Sequence, residues 1–110
     1  MGDRELAQSA LEEAARVARP SFRTFYQLGG MYWQVRNLDR AAYYFARAAR
    51  TNPRSANAFH GLALIEETNF HFHAARRAYA RALQLAPANK RIREDYERFE
   101  QKLADNKAAQ

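Results

Sequence analysis

The sequence repeats itself at an offset of 34 residues, the interval between Pro53 and Pro87. The same shift carries Phe25 onto Phe59, Leu28 onto Leu62, Ala41 onto Ala75, Phe45 onto Tyr79, Arg47 onto Arg81 and Ala48 onto Ala82. Ser21, Ser55 and Asn89 form a further series, all of types whose side-chain oxygen accepts from the free N–H groups at a helix start. A fixed period of this size means that one supersecondary unit is stacked on itself instead of being wrapped around a single closed core. In such stacks function lies on an extended surface built from equivalent positions of successive units.

Apolar residues within each unit recur at helical spacing. Leu6, Ala7, Leu11, Ala14, Ala15 and Val17 form a stripe over residues 5–18, which Pro20 ends. Residues 22–35 place Phe25, Leu28, Gly29 and Tyr32 along one side of a second helix. Asn37 opens a third over 38–50, and Thr51-Asn52-Pro53 breaks the pattern. The cycle then returns, with helices over 56–68 and 72–85, a stop at Pro87 and a final helix over 90–104. Six helices joined by short turns are predicted, with the polar tail from Asp105 to Gln110 fraying.

Small and large residues alternate in a mechanically useful way. Gly29 and Ala63 on the first helix of each pair let the second approach closely, and Ala41, Ala48, Ala75 and Ala82 do the same from the other side. Phe25, Tyr32, Phe45, Phe59 and Tyr79 then fill the space, so that a thin two-layer stack reaches normal packing density.

These residues resemble the tetratricopeptide repeat, whose signature runs aromatic, Leu-Gly, Tyr, then Ala, aromatic, Ala and a closing Pro. Residues 22–55 carry Phe25, Leu28-Gly29, Tyr32, Ala41, Phe45, Ala48 and Pro53. Residues 56–89 carry Phe59, Leu62-Ala63, Ala75, Tyr79, Ala82 and Pro87, with Glu66 where the signature has Tyr. One period earlier, Ala7, Leu11 and Ala14 fall where the second helix of a unit needs Ala, an aromatic and Ala. The resemblance implies an all-α, short right-handed solenoid of antiparallel helix pairs forming a single domain over 1–110. Its parts are a half-repeat at 5–20, repeats at 22–55 and 56–89, a capping helix at 90–104 and the tail at 105–110. The second half is also similar to the half-a-tetratricopeptide variant of RNA-processing proteins, through Phe59, Leu62, Ile65 and Glu66, then Tyr96, Phe99 and Glu100. Ala75-Arg76, Tyr79 and Arg81-Ala82-Leu83 add to that likeness, and a Glu66–Arg76 pair is expected to neutralise the semi-buried carboxylate.

In arrays of this kind the first helices line a concave groove. By register the groove presents Arg23, Tyr26, Gln27, Gly30, Trp33 and Gln34 from one helix, and Asn57, His60, Leu64 and Glu67 from the next. Arg91, Glu94 and Arg98 follow from the last helix. Trp, Tyr and Arg are the types that dominate interface energetics, so the implied function is to hold a peptide or helix of a partner protein. Family members that grip terminal carboxylates of chaperones use a Lys/Asn/Asn/Lys/Arg set. Here those positions hold Tyr26, Gly30, Gly61, Arg91 and Asp95, which excludes that clamp.

The second helices form the convex back, where Arg40, Arg47, Arg50, Arg77 and Arg81 are expected to make a basic ridge. With a net charge of +6 such a ridge attracts phosphates, which makes RNA or RNA-processing partners the alternative to a protein ligand. Self-association is a third reading: the stripe over 5–18 has no preceding helix to cover it, and a homodimer would supply one.

Other functions find little support in the sequence. There is no cysteine, hence no disulfide or thiolate site. His71 and His73 flank Phe72 at a turn without a third ligand, and no phosphate-binding loop, nucleophile elbow or metalloprotease helix occurs. The chain is expected to be a non-enzymatic scaffold module without cofactor or metal. No apolar run is long enough for membrane insertion, and Met1-Gly2-Asp3-Arg4-Glu5 lacks the apolar core of a signal peptide, so a cytoplasmic setting is expected.

Overall fold

The computed structural model describes residues 2–17 and 21–109. Six α-helices follow one another: α1 Asp3–Val17, α2 Phe22–Gln34, α3 Leu38–Thr51, α4 Ala56–Thr68, α5 Phe72–Leu85 and α6 Lys90–Ala109. The starts of α2, α3, α4 and α6 are chemically specified. Ser21 Oγ accepts from Thr24 N at 3.5 Å, Ser55 Oγ from Ala58 N at 3.2 Å, Asn37 Oδ1 from Arg40 N at 3.2 Å and Asn89 Oδ1 from Ile92 N at 3.0 Å. Pro20, expected to end the first helix, lies outside the described residues together with Ala18 and Arg19 and the side chains of Ala15 and Val17.

The turns inside the two pairs are the same device used twice. Arg36 (φ 63°) and Phe70 (φ 62°), one period apart, adopt the left-handed conformation. Asn37 N then donates back to Tyr32 O at 2.9 Å and His71 N to Glu66 O at 2.8 Å. Arg36 N reaches Trp33 O and Phe70 N reaches Glu67 O, completing a Schellman closure at each helix end. One left-handed residue turns the chain back at once, which sets α2 against α3 and α4 against α5 as antiparallel pairs.

The pairs stack through the aromatic and small residues that the repeat supplies. Phe25, Leu28, Tyr32, Ala41, Tyr44, Phe45, Ala48, Ala58 and Ile65 form one buried cluster. Ala63, Ala75, Tyr79 and Phe99 form a second, with Phe72, Tyr96 and Leu103 packed on it. The molecule measures 49 × 29 × 20 Å, which is the elongated form of a stack and not of a closed globule.

Two expectations are corrected here. The predicted frayed tail at 105–110 is helical as far as Ala109, so the capping helix does not stop at 104. No glycine or proline interrupts that stretch, Leu103 packs on the second cluster, and Gln101 Nε2 bonds Asp105 Oδ1 at 3.0 Å. The expected Glu66–Arg76 pair is not formed either. Arg76 Nε pairs with Glu100 Oε1 of α6 at 3.1 Å, and Glu66 Oε2 is taken by His71 Nδ1 at 2.9 Å. Arg76 therefore bonds forward to the next first helix instead of back to α4.

Helix α1 is the lightly held element. Leu11 packs on the first cluster and the Tyr32 hydroxyl donates to the Glu12 carboxylate, but Ala7 and Leu6 are exposed, Leu6 by 54%. Ala7, Leu11 and Ala14 occupy the register of Ala41, Phe45 and Ala48, whose burial depends on a preceding first helix.

Candidate functional site

Helices α2, α4 and α6 present their facing sides to one open groove of about 430 Å³. Tyr26, Gly30, Trp33 and Gln34 come from α2, Asn57, His60, Gly61 and Leu64 from α4, Arg91 from α6, and Phe45 of α3 reaches in between. Of the residues predicted from register, Arg23 and Gln27 are exposed on α2 away from this lining, and Arg98 is exposed on α6 outside it, paired with Asp95. Gly61 and Phe45 were not predicted as lining. Gly61 lies one period after Gln27, and its significance depends on α4 facing Phe45, which no local pattern reveals.

The aromatic residues of the groove are held in place. Tyr26 stacks on Phe22 with ring centroids 5.5 Å apart and meets Phe45 edge-on at 5.6 Å. The Arg36 guanidinium lies 5.0 Å from the Trp33 ring centroid, covering one face of a half-buried indole.

The α4–α6 wall is polar and internally neutralised. His60 Nε2 and Asp95 Oδ2 are 2.7 Å apart, with side chains only 12% and 14% exposed. The other oxygen, Asp95 Oδ1, accepts from Arg98 Nη2 at 2.9 Å. Asp95 thus spends its charge on two neighbours, and Arg91 is left as the full charge lining the groove; no ion pair engages it among the described residues. Behind this wall the fully buried Tyr79 donates its hydroxyl to Glu67 Oε1 at 2.7 Å, and Lys102 Nζ stands 3.5 Å from Glu67 Oε2. Burial, then the bond to Glu67, raises the Tyr79 pKa far above the usual tyrosine value. Tyr32 is raised by burial and then by Glu12, and Tyr96 by burial and then by Glu100. All three act as neutral tyrosines.

The convex arginines differ in their surroundings. Arg47 lies 4.8 Å from the centroid of Phe25 and bonds the Tyr43 hydroxyl at 3.1 Å. With Arg40 it lines a cleft that also holds Glu12 and Glu13 of α1. Arg81 sits 5.8 Å from the Phe59 ring and bonds Gln84, yet like Arg40, Arg50 and Arg77 it remains exposed; Arg47 is the half-buried one. Arginine stems and guanidinium faces cover aromatic rings here, a packing role that sequence spacing does not distinguish from a free charge.

The stacked pairs compare well with solved structures. The chain superposes on the crystal structure of MamA with a TM-score of 0.86, at 19% identity, over 94% of this chain and 60% of that one. A second MamA structure gives 0.83 at 20% identity, over 91% and 55%. The Sgt2 TPR domain from Aspergillus fumigatus gives 0.85 at 15% identity, over 96% of this chain and 72% of that domain. The fold is tetratricopeptide-like. At these identities the likeness carries the fold alone, and the chain spans only 55–62% of the MamA chains. No family model matches the sequence, and no curated protein matches it. In this tetratricopeptide-like solenoid the groove is the concave surface of the first helices, and no helix among the described residues is long and apolar enough to cross a membrane.

Proposed function

We propose that this chain is a non-enzymatic interaction module that holds a segment of a partner protein in its concave groove. The observation that supports this is the convergence of Tyr26, Trp33, His60, Leu64 and Arg91 from three helices on one open surface. Pre-positioned aromatics lose little freedom when a ligand covers them, and a groove of mixed apolar and polar lining suits side-chain recognition. Binding affinity would come from Tyr26, Trp33 and Arg91, with Asn57 and Gln34 supplying hydrogen bonds to a peptide backbone.

The second reading, RNA or RNA-processing partners on the back, keeps Arg40, Arg50, Arg77 and Arg81 as exposed charges, with Arg47 half-buried over Phe25. Head-to-tail stacking of copies is also disfavoured. At the α6 positions equivalent to Phe59 and Ala63, where a following helix would pack, stand the exposed Arg93 and Glu97.

The test is a selection of peptides from a random display library on the intact chain, repeated on Tyr26→Ala. Selected peptides are expected to bind with micromolar Kd, to shift Trp33 emission, and to lose most of their affinity for Tyr26→Ala. The proposal fails if selected peptides bind both proteins alike. Salt-steep binding of single-stranded RNA, weakening strongly between about 50 and 200 mM salt and unaffected by Tyr26→Ala, would move the function to the arginines.

A further inference from the structure

The chain places Gly29 and Gly30 side by side in α2, and only one of them has an internal reason to be glycine. A β-carbon at residue 29 would meet the ring of Phe45 at 2.8 Å, so the close approach of α3 requires Gly29. A β-carbon at residue 30 would meet nothing within 4 Å. Gly30 has no positive φ to accommodate, since no glycine in the structure has one. Among non-proline residues glycine is the poorest choice for a helix interior, and alanine would fit here without contact. Gly30 is thus a locally unfavourable choice that packing and backbone conformation leave unexplained.

Its position supplies the explanation. Gly30 lines the concave groove, four residues after Tyr26 and three before Trp33, so the three share one helix face. The missing side chain leaves bare backbone and open space at the groove surface between the positions of Tyr26 and Trp33. Arg91 lines the same groove without an ion-pair partner among the described residues. Asp95, the carboxylate that would otherwise repel an acidic ligand, is already engaged by His60 at 2.7 Å and Arg98 at 2.9 Å.

We infer that Gly30 is a specificity seat: a bulky apolar side chain of an acidic partner segment enters the open space between the positions of Tyr26 and Trp33, and a neighbouring carboxylate of that segment pairs with Arg91. This rests on the groove reading above and adds to it the chemistry of the ligand. Charge complementarity supports the acidic ligand twice, through Arg91 locally and through the net charge of +6 of the whole chain. An apolar side chain suits the seat because Tyr26, Trp33, Phe45 and Leu64 belong to the same lining.

The probe is an N-acetylated peptide with a central Phe-Leu pair flanked by glutamates, titrated against the full chain with Trp33 emission as readout. A second peptide carries lysines for the glutamates, and a third carries alanines for the Phe-Leu pair. The acidic Phe-Leu peptide is expected to saturate the emission change, with each control about tenfold weaker or more. Gly30→Ala is expected to unfold at the same temperature as the wild type or higher, because alanine favours the helix, yet to bind about tenfold more weakly. That opposition separates a ligand seat from a structural position, where affinity and stability would fall together. If Gly30→Ala binds like the wild type while Tyr26→Ala loses binding, the seat is wrong and the groove stands. If neither substitution matters, the groove reading falls as well. Failure of the acidic peptide to saturate, or preference for its lysine counterpart, overturns the inference.

Discussion

The ring of Phe45 is clamped between two bare backbones. A β-carbon at Gly29 would lie 2.8 Å from its Cδ1 edge, and one at Gly61 3.0 Å from the opposite edge at Cε2 and Cζ. Phe45 therefore joins α2 and α4 across the repeat boundary while belonging to α3. Held on both sides, the ring has little room to yield toward either helix. Gly29→Ala gains about 1 kcal/mol of helix propensity but incurs overpacking of about 1–3 kcal/mol, so a net loss near 1 kcal/mol is expected in urea unfolding. Phe45→Ala is expected to lose about 3–5 kcal/mol. In Gly29→Ala combined with Phe45→Leu, the summed losses should exceed the measured one, because the smaller side chain removes the clash.

The buried hydroxyl of Tyr79 makes stability pH-dependent on the alkaline side. Its pKa is raised in the folded state, so its contribution is fully present below the unfolded tyrosine value of about 10 and is lost as pH rises toward the folded value. Above pH ~10 the unfolded chain releases a proton that the folded chain retains, and stability falls by about 1.4 kcal/mol per pH unit from this group. Tyr79→Phe removes that slope and the bond to Glu67, for a loss of about 1–2 kcal/mol at neutral pH. Urea unfolding of both proteins at neutral pH and above pH ~10 checks the prediction, which requires the gap between them to narrow as pH rises.

Phe70 combines two unfavourable features, a left-handed backbone with φ of 62° and a side chain 74% exposed. Glycine adopts that conformation without strain, whereas other residues pay about 1–2 kcal/mol for it. Phe70→Gly loses the edge contact with Phe72 and gives the unfolded chain more freedom, which leaves a net gain of about 0.5 kcal/mol. Arg36→Gly, at the equivalent position, should gain less, because it also uncovers Trp33. Thermal unfolding of the two variants gives the order directly.

Helix α1 is fastened chiefly through Leu11 and through the Tyr32 hydroxyl on Glu12. Its amides are expected to exchange with solvent faster than those of α4 and α5 in the wild type. Tyr32→Phe should accelerate exchange across α1 while leaving α4 and α5 unchanged. Uniform acceleration would mean that α1 unfolds only with the rest of the molecule.

Much of this molecule is written locally. The helices α2 to α5 begin and end within a residue of their expected limits; Ser21, Asn37 and Ser55 cap α2, α3 and α4 through bonds spanning three residues, and α5 starts directly after the Schellman turn that ends α4. The 34-residue period likewise told which faces are apolar, and the resemblance it carries implied that Tyr26, Trp33, His60 and Arg91 face one groove. Tertiary structure decided what those faces meet. Arg76 had two glutamates one period apart to choose from, and the forward stacking of α5 on α6 selected Glu100 over Glu66. That Phe25 lies beneath Arg47 and Phe59 beneath Arg81 follows from the folding of α2 onto α3 and α4 onto α5. Register already separated Gly29 from Gly30, but only the packed stack shows that Phe45 is what Gly29 meets and that Gly61 meets the same ring from α4. Capping and periodicity act within one or two turns of chain and can be read from neighbours in sequence. Pairing, clamping and exposure depend on the rotation of one helix against another, which is fixed only when the whole stack forms.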